Sequence, residues 1–138
     1  MLFRSLVGSR EAIAEARVYR KALGGGMRQA GVLAAAGLIA LEKMPLRLHE
    51  DHANARMLAE TLAQCSDVDI DLEAVQTNIV VFSLRTRTAS EVVAALKARG
   101  LLISTIAPYA VRLVTHHDAD KAACEKAAFI LRDELRSA

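Results

Sequence analysis

The apolar residues Ile13, Ala16 and Leu23 recur at roughly helical spacing. Ser9 can cap a helix that opens with Arg10 and keeps an apolar stripe as far as Leu23. Three consecutive glycines, Gly24–Gly26, follow, and glycine is unfavourable in the interior of a helix. The pattern therefore predicts one amphipathic helix that ends at a glycine corner.

The next segment is apolar without a polar side. We predict a second helix from Met27 to Met44, in which the run Ala30–Leu41 is apolar on nearly every face. Pro45 ends or kinks it. A small domain has too little protein to cover such a helix all round. We therefore expect it to pack against another domain or another subunit.

After Pro45 the period of the pattern alternates between that of helices and that of strands. Gly100 stands where a helix ends, and Asp118 stands where one begins. The predicted elements are a helix over 46–65, strands over 68–72 and 78–84, a helix over 90–99, strands over 101–106 and 111–115, and a helix over 119–135. This order predicts an α+β fold, with a helical segment over 1–44 and a small, mostly antiparallel sheet covered by helices over 45–138.

Composition narrows the class of protein. Of 138 residues, 53% are hydrophobic and 25% charged, a balance typical of folded domains. A net charge of +2 and 4% aromatic residues do not favour a nucleic-acid surface, and the longest apolar run is too short to span a bilayer. Cys65 and Cys124 lack a disulfide or redox spacing, and no signal peptide is recognisable. We expect a cytoplasmic protein that binds neither nucleic acid nor membrane.

Two groups of residues have the chemistry of an anion site. The glycines Gly24–Gly26 precede the predicted start of a helix, and Lys21 and Arg28 flank them with positive charge. This segment is either a loop that touches a phosphate or carboxylate, or a tight corner between helices with solvated charges. Arg112 lies between apolar residues of a predicted strand, where it either binds a carboxylate in a cleft or faces solvent.

The four histidines do not form a recognisable metal motif. His49 and His52 are three residues apart on a predicted helix, and His116 and His117 are adjacent at the end of a strand. Neither pair is accompanied by a zinc-binding sequence or by a pair of cysteines. We expect ordinary surface or capping roles for them and no metal.

Several segments in order resemble the low-specificity L-threonine aldolases. They are RKALGGGMRQAG at 20–31, EDHANAR at 50–56, TNIV at 77–80 and VRLVTH at 111–116. The resemblance extends from about Val7 to the end of the chain. The GGGMRQAG block is the most specific of these segments.

The resemblance implies that the chain is the C-terminal small domain, or a fragment, of a fold-type-I enzyme that uses pyridoxal 5′-phosphate (PLP). Such enzymes cleave threonine or allo-threonine to glycine and acetaldehyde by a retro-aldol step, and they are tetramers built from dimers. Carried onto this sequence, it implies that Arg112 binds the substrate carboxylate. It also implies that Lys21 and Arg28 lie on the cofactor side of the active site.

One family feature is absent from the sequence. The family's Schiff-base lysine lies in a Ser-Lys-Gly-Leu-Gly segment just upstream of the residues that match Val7, and these 138 residues contain no such segment. The chain therefore supplies no catalytic residue of its own, and we expect it to bind no PLP and to be inactive alone. Its partner is then a separate PLP-binding large domain. The alternative is a non-catalytic binding module that forms homo-oligomers through the Ala30–Leu41 helix.

Overall fold

The computed structural model describes residues 6–136 and divides the chain into two compact units, 1–43 and 44–138. The first unit contains helix α1 (Arg10–Ala22) and helix α2 (Gly31–Glu42). Ser9 caps α1 as predicted, since its hydroxyl accepts a hydrogen bond from the backbone N–H of Ala12.

The glycine corner ends α1 with a double hydrogen bond. The N–H of Gly24 donates to the carbonyl of Lys21, and the N–H of Gly25 donates to that of Arg20 at 2.8 Å. This is the Schellman pattern, and it needs a left-handed backbone, which Gly24 supplies with φ +82°. The prediction that α2 begins at Met27 is wrong. Because Gln29 also has a left-handed φ of 50°, helical geometry cannot start before the next residue.

Helix α2 has no buried residue. Its large apolar side chains are more than half exposed: Val32, Leu33, Leu38, Ile39 and Leu41. The apolar surface of α2 is therefore not covered by the described part of this chain.

No helix within residues 6–136 is both long enough and apolar enough to cross a bilayer.

The second unit is an α+β fold, as predicted. Its helices are α3 (Leu48–Leu62), α4 (Ala89–Ala98) and α5 (Lys121–Arg136); its strands are β1 (Val68–Asp69), β2 (Ile79–Leu84), β3 (Ser104–Ala107) and β4 (Ala110–Val114). The strands form one antiparallel sheet in the order β1-β2-β4-β3.

The core of this unit lies between one face of the sheet and the three helices. Strand alternation sends Val80, Phe82 and Leu84 of β2 into the core, together with Val111 and Leu113 of β4. The helices contribute buried residues at helical spacing: Ala55, Leu58, Ala59 and Leu62 from α3, Val92 and Leu96 from α4, and Ala128, Leu131 and Leu135 from α5. These side chains form the core of the unit.

Local hydrogen bonds explain why some elements begin or end at residues other than the predicted ones. Strand β1 is shorter than 68–72, because the carboxylate of Asp71 accepts from the N–H of Glu73 and starts a 3₁₀ turn. Gly100 ends α4 as predicted, with φ +83°, and the N–H of Leu101 bonds back to α4. Strand β3 therefore begins at Ser104, three residues later than predicted.

Helix α5 is capped by a different residue from the predicted one. Asp118 lies in a turn, and the carboxylate of Asp120 caps the helix by accepting from the N–H of Ala123 at 2.8 Å. The helix therefore begins two residues later than the sequence pattern indicated.

Candidate functional site

The face of the sheet away from the helices carries Arg112 at its centre. In the strand register Arg112 lies opposite Val81 of β2 on one side and Ser104 of β3 on the other. Val81 and Val114 on this face are each 45% exposed. Since strand alternation fixes which residues share a face, the open surface is largely apolar with one cation in its middle.

The guanidinium of Arg112 has no partner in the described part of the chain. Its Nε is buried and makes no hydrogen bond. The other arginines of intermediate burial each have a carboxylate within 4 Å: Arg47, Arg56, Arg87 and Arg99. A half-buried guanidinium with a buried, unpaired N–H is chemically suited to an external carboxylate, which can accept two parallel hydrogen bonds.

Lys21 and Arg28 belong to the other unit. Lys21 is in the last turn of α1, where its aliphatic stem lies beside Gly26: a Cβ added there would be 2.7 Å from Lys21 Cδ. Arg28 lies in the turn before α2, and both side chains are exposed. Both cations are free to meet a ligand, and no described carboxylate lies within ion-pair distance of either.

The glycine corner itself does not open a helix. Its N–H groups at Gly24 and Gly25 are used in closing α1, and α2 starts only at Gly31. The N–H groups of Gly24 and Gly25 are therefore not offered to an anion from the start of a helix. The arrangement is a tight corner between two helices.

The histidines do not converge on a metal site. Residues 6–136 contain no group of three or more His, Cys, Asp or Glu side chains placed to hold a metal ion. His116 accepts a hydrogen bond from the N–H of Asp118 at 3.2 Å, which is a local structural contact. Both cysteines are free and buried, and burial raises the pKa of each thiol.

Asn54 is a polar residue that the sequence reasoning did not single out. It is 8% exposed, and its carboxamide is not among the buried side-chain groups that lack a hydrogen-bond partner. The signal was available, because Asn54 falls on the apolar stripe of α3 between Asp51 and Leu58. The amide therefore does not by itself indicate a ligand.

Comparisons with known proteins place the chain in a family. Residues 5–85 match the family described as "Beta-eliminating lyase". The chain is 42% identical over 116 residues to the low specificity L-threonine aldolase of Escherichia coli (strain K12), covering 84% of this chain and 33% of that protein. It is 38% identical over 115 residues to low-specificity L-threonine aldolase 1 of Arabidopsis thaliana, covering 81% and 32%. The chain thus spans about a third of the length of these relatives.

Solved structures share the fold at low sequence identity. The structure of MppP soaked with the product 2-ketoarginine matches with a TM-score of 0.59 at 16% identity, over 72% of this chain and 30% of that chain. A mutant of C-DES with glycine covalently linked to the PLP cofactor matches with a TM-score of 0.56 at 22% identity, over 64% and 24%. The fold agrees with the match in sequence, and the chain belongs to the beta-eliminating lyase family.

Proposed function

We propose that this chain forms the small-domain part of an L-threonine aldolase, which cleaves threonine or allo-threonine to glycine and acetaldehyde. The observation that carries the proposal is Arg112, a half-buried guanidinium on an open sheet face with a buried, unpaired Nε. The similarity to threonine aldolases over more than four fifths of the chain supplies the reaction class.

In this proposal Arg112, Lys21 and Arg28 each bind one part of the substrate or cofactor. Arg112 binds the α-carboxylate of the substrate in two hydrogen bonds, which fixes the orientation of the amino acid. Lys21 and Arg28, both exposed cations beside the glycine corner, lie toward the phosphate of PLP. A bound PLP would supply the electron sink for the retro-aldol cleavage of the carbon–carbon bond.

The PLP lysine has to come from elsewhere. The family motif that carries it is absent from these 138 residues. We therefore propose that a PLP-binding large domain completes the active site, and that the 138 residues alone do not cleave threonine. Borohydride trapping after mixing with PLP should then give no stoichiometric adduct at a single lysine. Such an adduct would reject this part of the proposal.

A chimera tests the function directly. This chain replaces the matching third of the Escherichia coli aldolase, and PLP absorbance and acetaldehyde release from threonine are measured. We expect PLP binding and threonine cleavage. Arg112→Met should raise the KM for threonine about tenfold or more, because one charge-assisted contact to the carboxylate is lost. Arg132→Met, on the exposed side of α5, is the matched control.

The activity of the chimera and the effect of Arg112→Met test two different parts of the proposal. A chimera that folds and binds PLP but cleaves no threonine would reject the aldolase function. An active chimera whose KM is unchanged by Arg112→Met would reject only the assignment of Arg112.

The exposed apolar surface of α2 favours a second candidate function, a non-catalytic module that assembles through residues 30–41. In that case the chain alone forms homo-oligomers, which multi-angle light scattering would detect. Leu38→Glu should then shift the mass toward the monomer, whereas Leu102→Glu, at an exposed leucine of the other unit, should not. A clean wild-type monomer would refute this candidate.

A further inference from the structure

Thr115 lies just after the end of β4, close in sequence to Arg112, and joins three parts of the unit 44–138. Only 2% of its surface is exposed. Its hydroxyl donates to the backbone carbonyl of Asp51, in the first turn of α3, at 2.7 Å. Its carbonyl accepts from the carboxamide of Asn78 at 2.7 Å, and its N–H donates to the carbonyl of Asn78 at 2.9 Å. The end of β4 is therefore tied both to the start of β2 and to α3.

The residues that meet at Thr115 come from distant parts of the sequence. Asp51 belongs to the segment EDHANAR, Asn78 to TNIV and Thr115 to VRLVTH, three of the four segments that resemble the threonine aldolases. Asp51 is itself held, because Arg47 donates to both of its carboxylate oxygens at 3.2 Å. The hydroxyl of Thr115 is thus attached to a fixed point of α3.

The two edges of β4 are paired unequally. Against β2 the register runs without interruption along the whole of β4, and the contact between Asn78 and Thr115 extends it by one more residue. Against β3 the register shifts between Thr105 and Ala107, and all of β3 is exposed. Because such a shift disrupts the ladder locally, β3 holds β4 less firmly than β2 does. The position of β4 therefore depends on its contacts with β2 and α3.

The guanidinium of Arg112 depends on the strand that carries it. Its buried Nε makes no hydrogen bond, so no partner of that group among residues 6–136 fixes where the side chain lies. A carboxylate that accepts two parallel hydrogen bonds requires a donor group placed to within about 0.5 Å. The precision that the substrate contact needs must come from the backbone of β4.

We propose that Thr115 and Asn78 are positioning residues for Arg112. They hold the end of β4 against α3 and β2, and so fix the guanidinium at the place where it meets the substrate carboxylate. This inference rests on the proposed aldolase function. It assigns to the two residues a role in substrate binding that acts through Arg112, without a contact of their own to the substrate.

Hydrogen exchange of the Arg112 side chain tests the positioning in the 138-residue chain itself. The Nε–H signal of the ¹⁵N-labelled chain is identified by its absence from the nuclear magnetic resonance spectrum of Arg112→Met. Thr115→Val keeps the shape of the residue and removes the hydroxyl, so exchange of the Nε–H should become about threefold faster or more through local opening of β4. Thr115→Ser, which retains the hydroxyl, should restore the wild-type rate. Thr105→Val makes the same change at an exposed threonine of β3 and should leave the rate unchanged.

The active chimera tests whether the effect passes through Arg112. Thr115→Val should raise the KM for threonine about threefold or more, because a small displacement of an orienting group weakens its contact. In the Arg112→Met background the same substitution should leave KM unchanged, since residues that act through one contact are not additive. A residue that only stabilises the fold would raise KM equally in both backgrounds.

The outcomes separate this inference from the proposed function. An unchanged exchange rate in Thr115→Val, or equal effects on KM in the two backgrounds, would overturn the positioning role and leave the aldolase function standing. A chimera that binds PLP but cleaves no threonine would reject the aldolase function, and the exchange rates would then decide the role of Thr115. If Thr115→Val does not fold, Asn78→Leu, which removes the carboxamide donor, is held to the same two criteria.

Discussion

Replacing Arg112 with methionine should make the isolated chain more stable. The substitution keeps the unbranched stem but removes the buried Nε, which has no hydrogen-bond partner within the described residues. Leaving a buried donor unsatisfied costs about 1–3 kcal/mol. Because the residue is only half buried and the rest of the guanidinium reaches solvent, we take the lower end. Arg112→Met should then raise the free energy of unfolding by about 1 kcal/mol.

Urea denaturation followed by far-ultraviolet circular dichroism measures this change. The midpoint should rise while the slope of the free energy against urea concentration stays the same, since the surface exposed on unfolding is unchanged. Arg132→Met, at an exposed position, is the control and should lie within about 0.5 kcal/mol of wild type. A loss of 1 kcal/mol or more in Arg112→Met would mean that the guanidinium stabilises the fold, and the reasoning would be refuted.

Three further predictions concern local structure. Gly100→Ala should cost about 1 kcal/mol in urea denaturation, because alanine is disfavoured at φ +83°; an unchanged midpoint would contradict this. Hydrogen bonds from Thr88 lower the pKa of Glu91 below its ordinary 4.5. The stabilisation lost in Glu91→Gln should therefore be full above pH 4.5 and should disappear as the pH falls through the lowered pKa of the carboxyl; a pH-independent difference would mean that the carboxylate charge does not strengthen this cap. Burial raises the pKa of the Cys124 thiol, so Ellman's reagent should react with it slowly at pH 8 in the folded chain and rapidly in urea.

The pattern of apolar residues predicted the layers of the fold because burial is periodic. The core residues of α3 recur at helical spacing, and those of β2 and β4 alternate along each strand. Element ends were less predictable. They depend on single hydrogen bonds, such as the one from the carboxylate of Asp71 that ends β1 early. They also depend on dihedral angles such as that of Gln29, a residue type with no strong turn preference.

The candidate site was also predictable from the sequence only in part. The sequence identified Arg112 because a cation within an apolar strand is unusual, but it left open whether the residue faces a cleft or solvent. Only the pairing of β2, β4 and β3 places it at the centre of an open face. Helices α3 and α5 pack against each other although most of the unit separates them in sequence, and no local sequence pattern indicates that contact.

Pairing, rather than burial, separates the arginines that hold the fold from the one that we assign to a ligand. Arg47 and Arg112 are both of intermediate burial. Arg47 binds both carboxylate oxygens of the buried Asp51 at 3.2 Å, so its removal would leave an unpaired buried charge and destabilise the chain. Removing Arg112 leaves no orphaned carboxylate among residues 6–136. Stability alone would not favour an arginine at position 112, which is why a substrate carboxylate is the physical explanation that we propose for it.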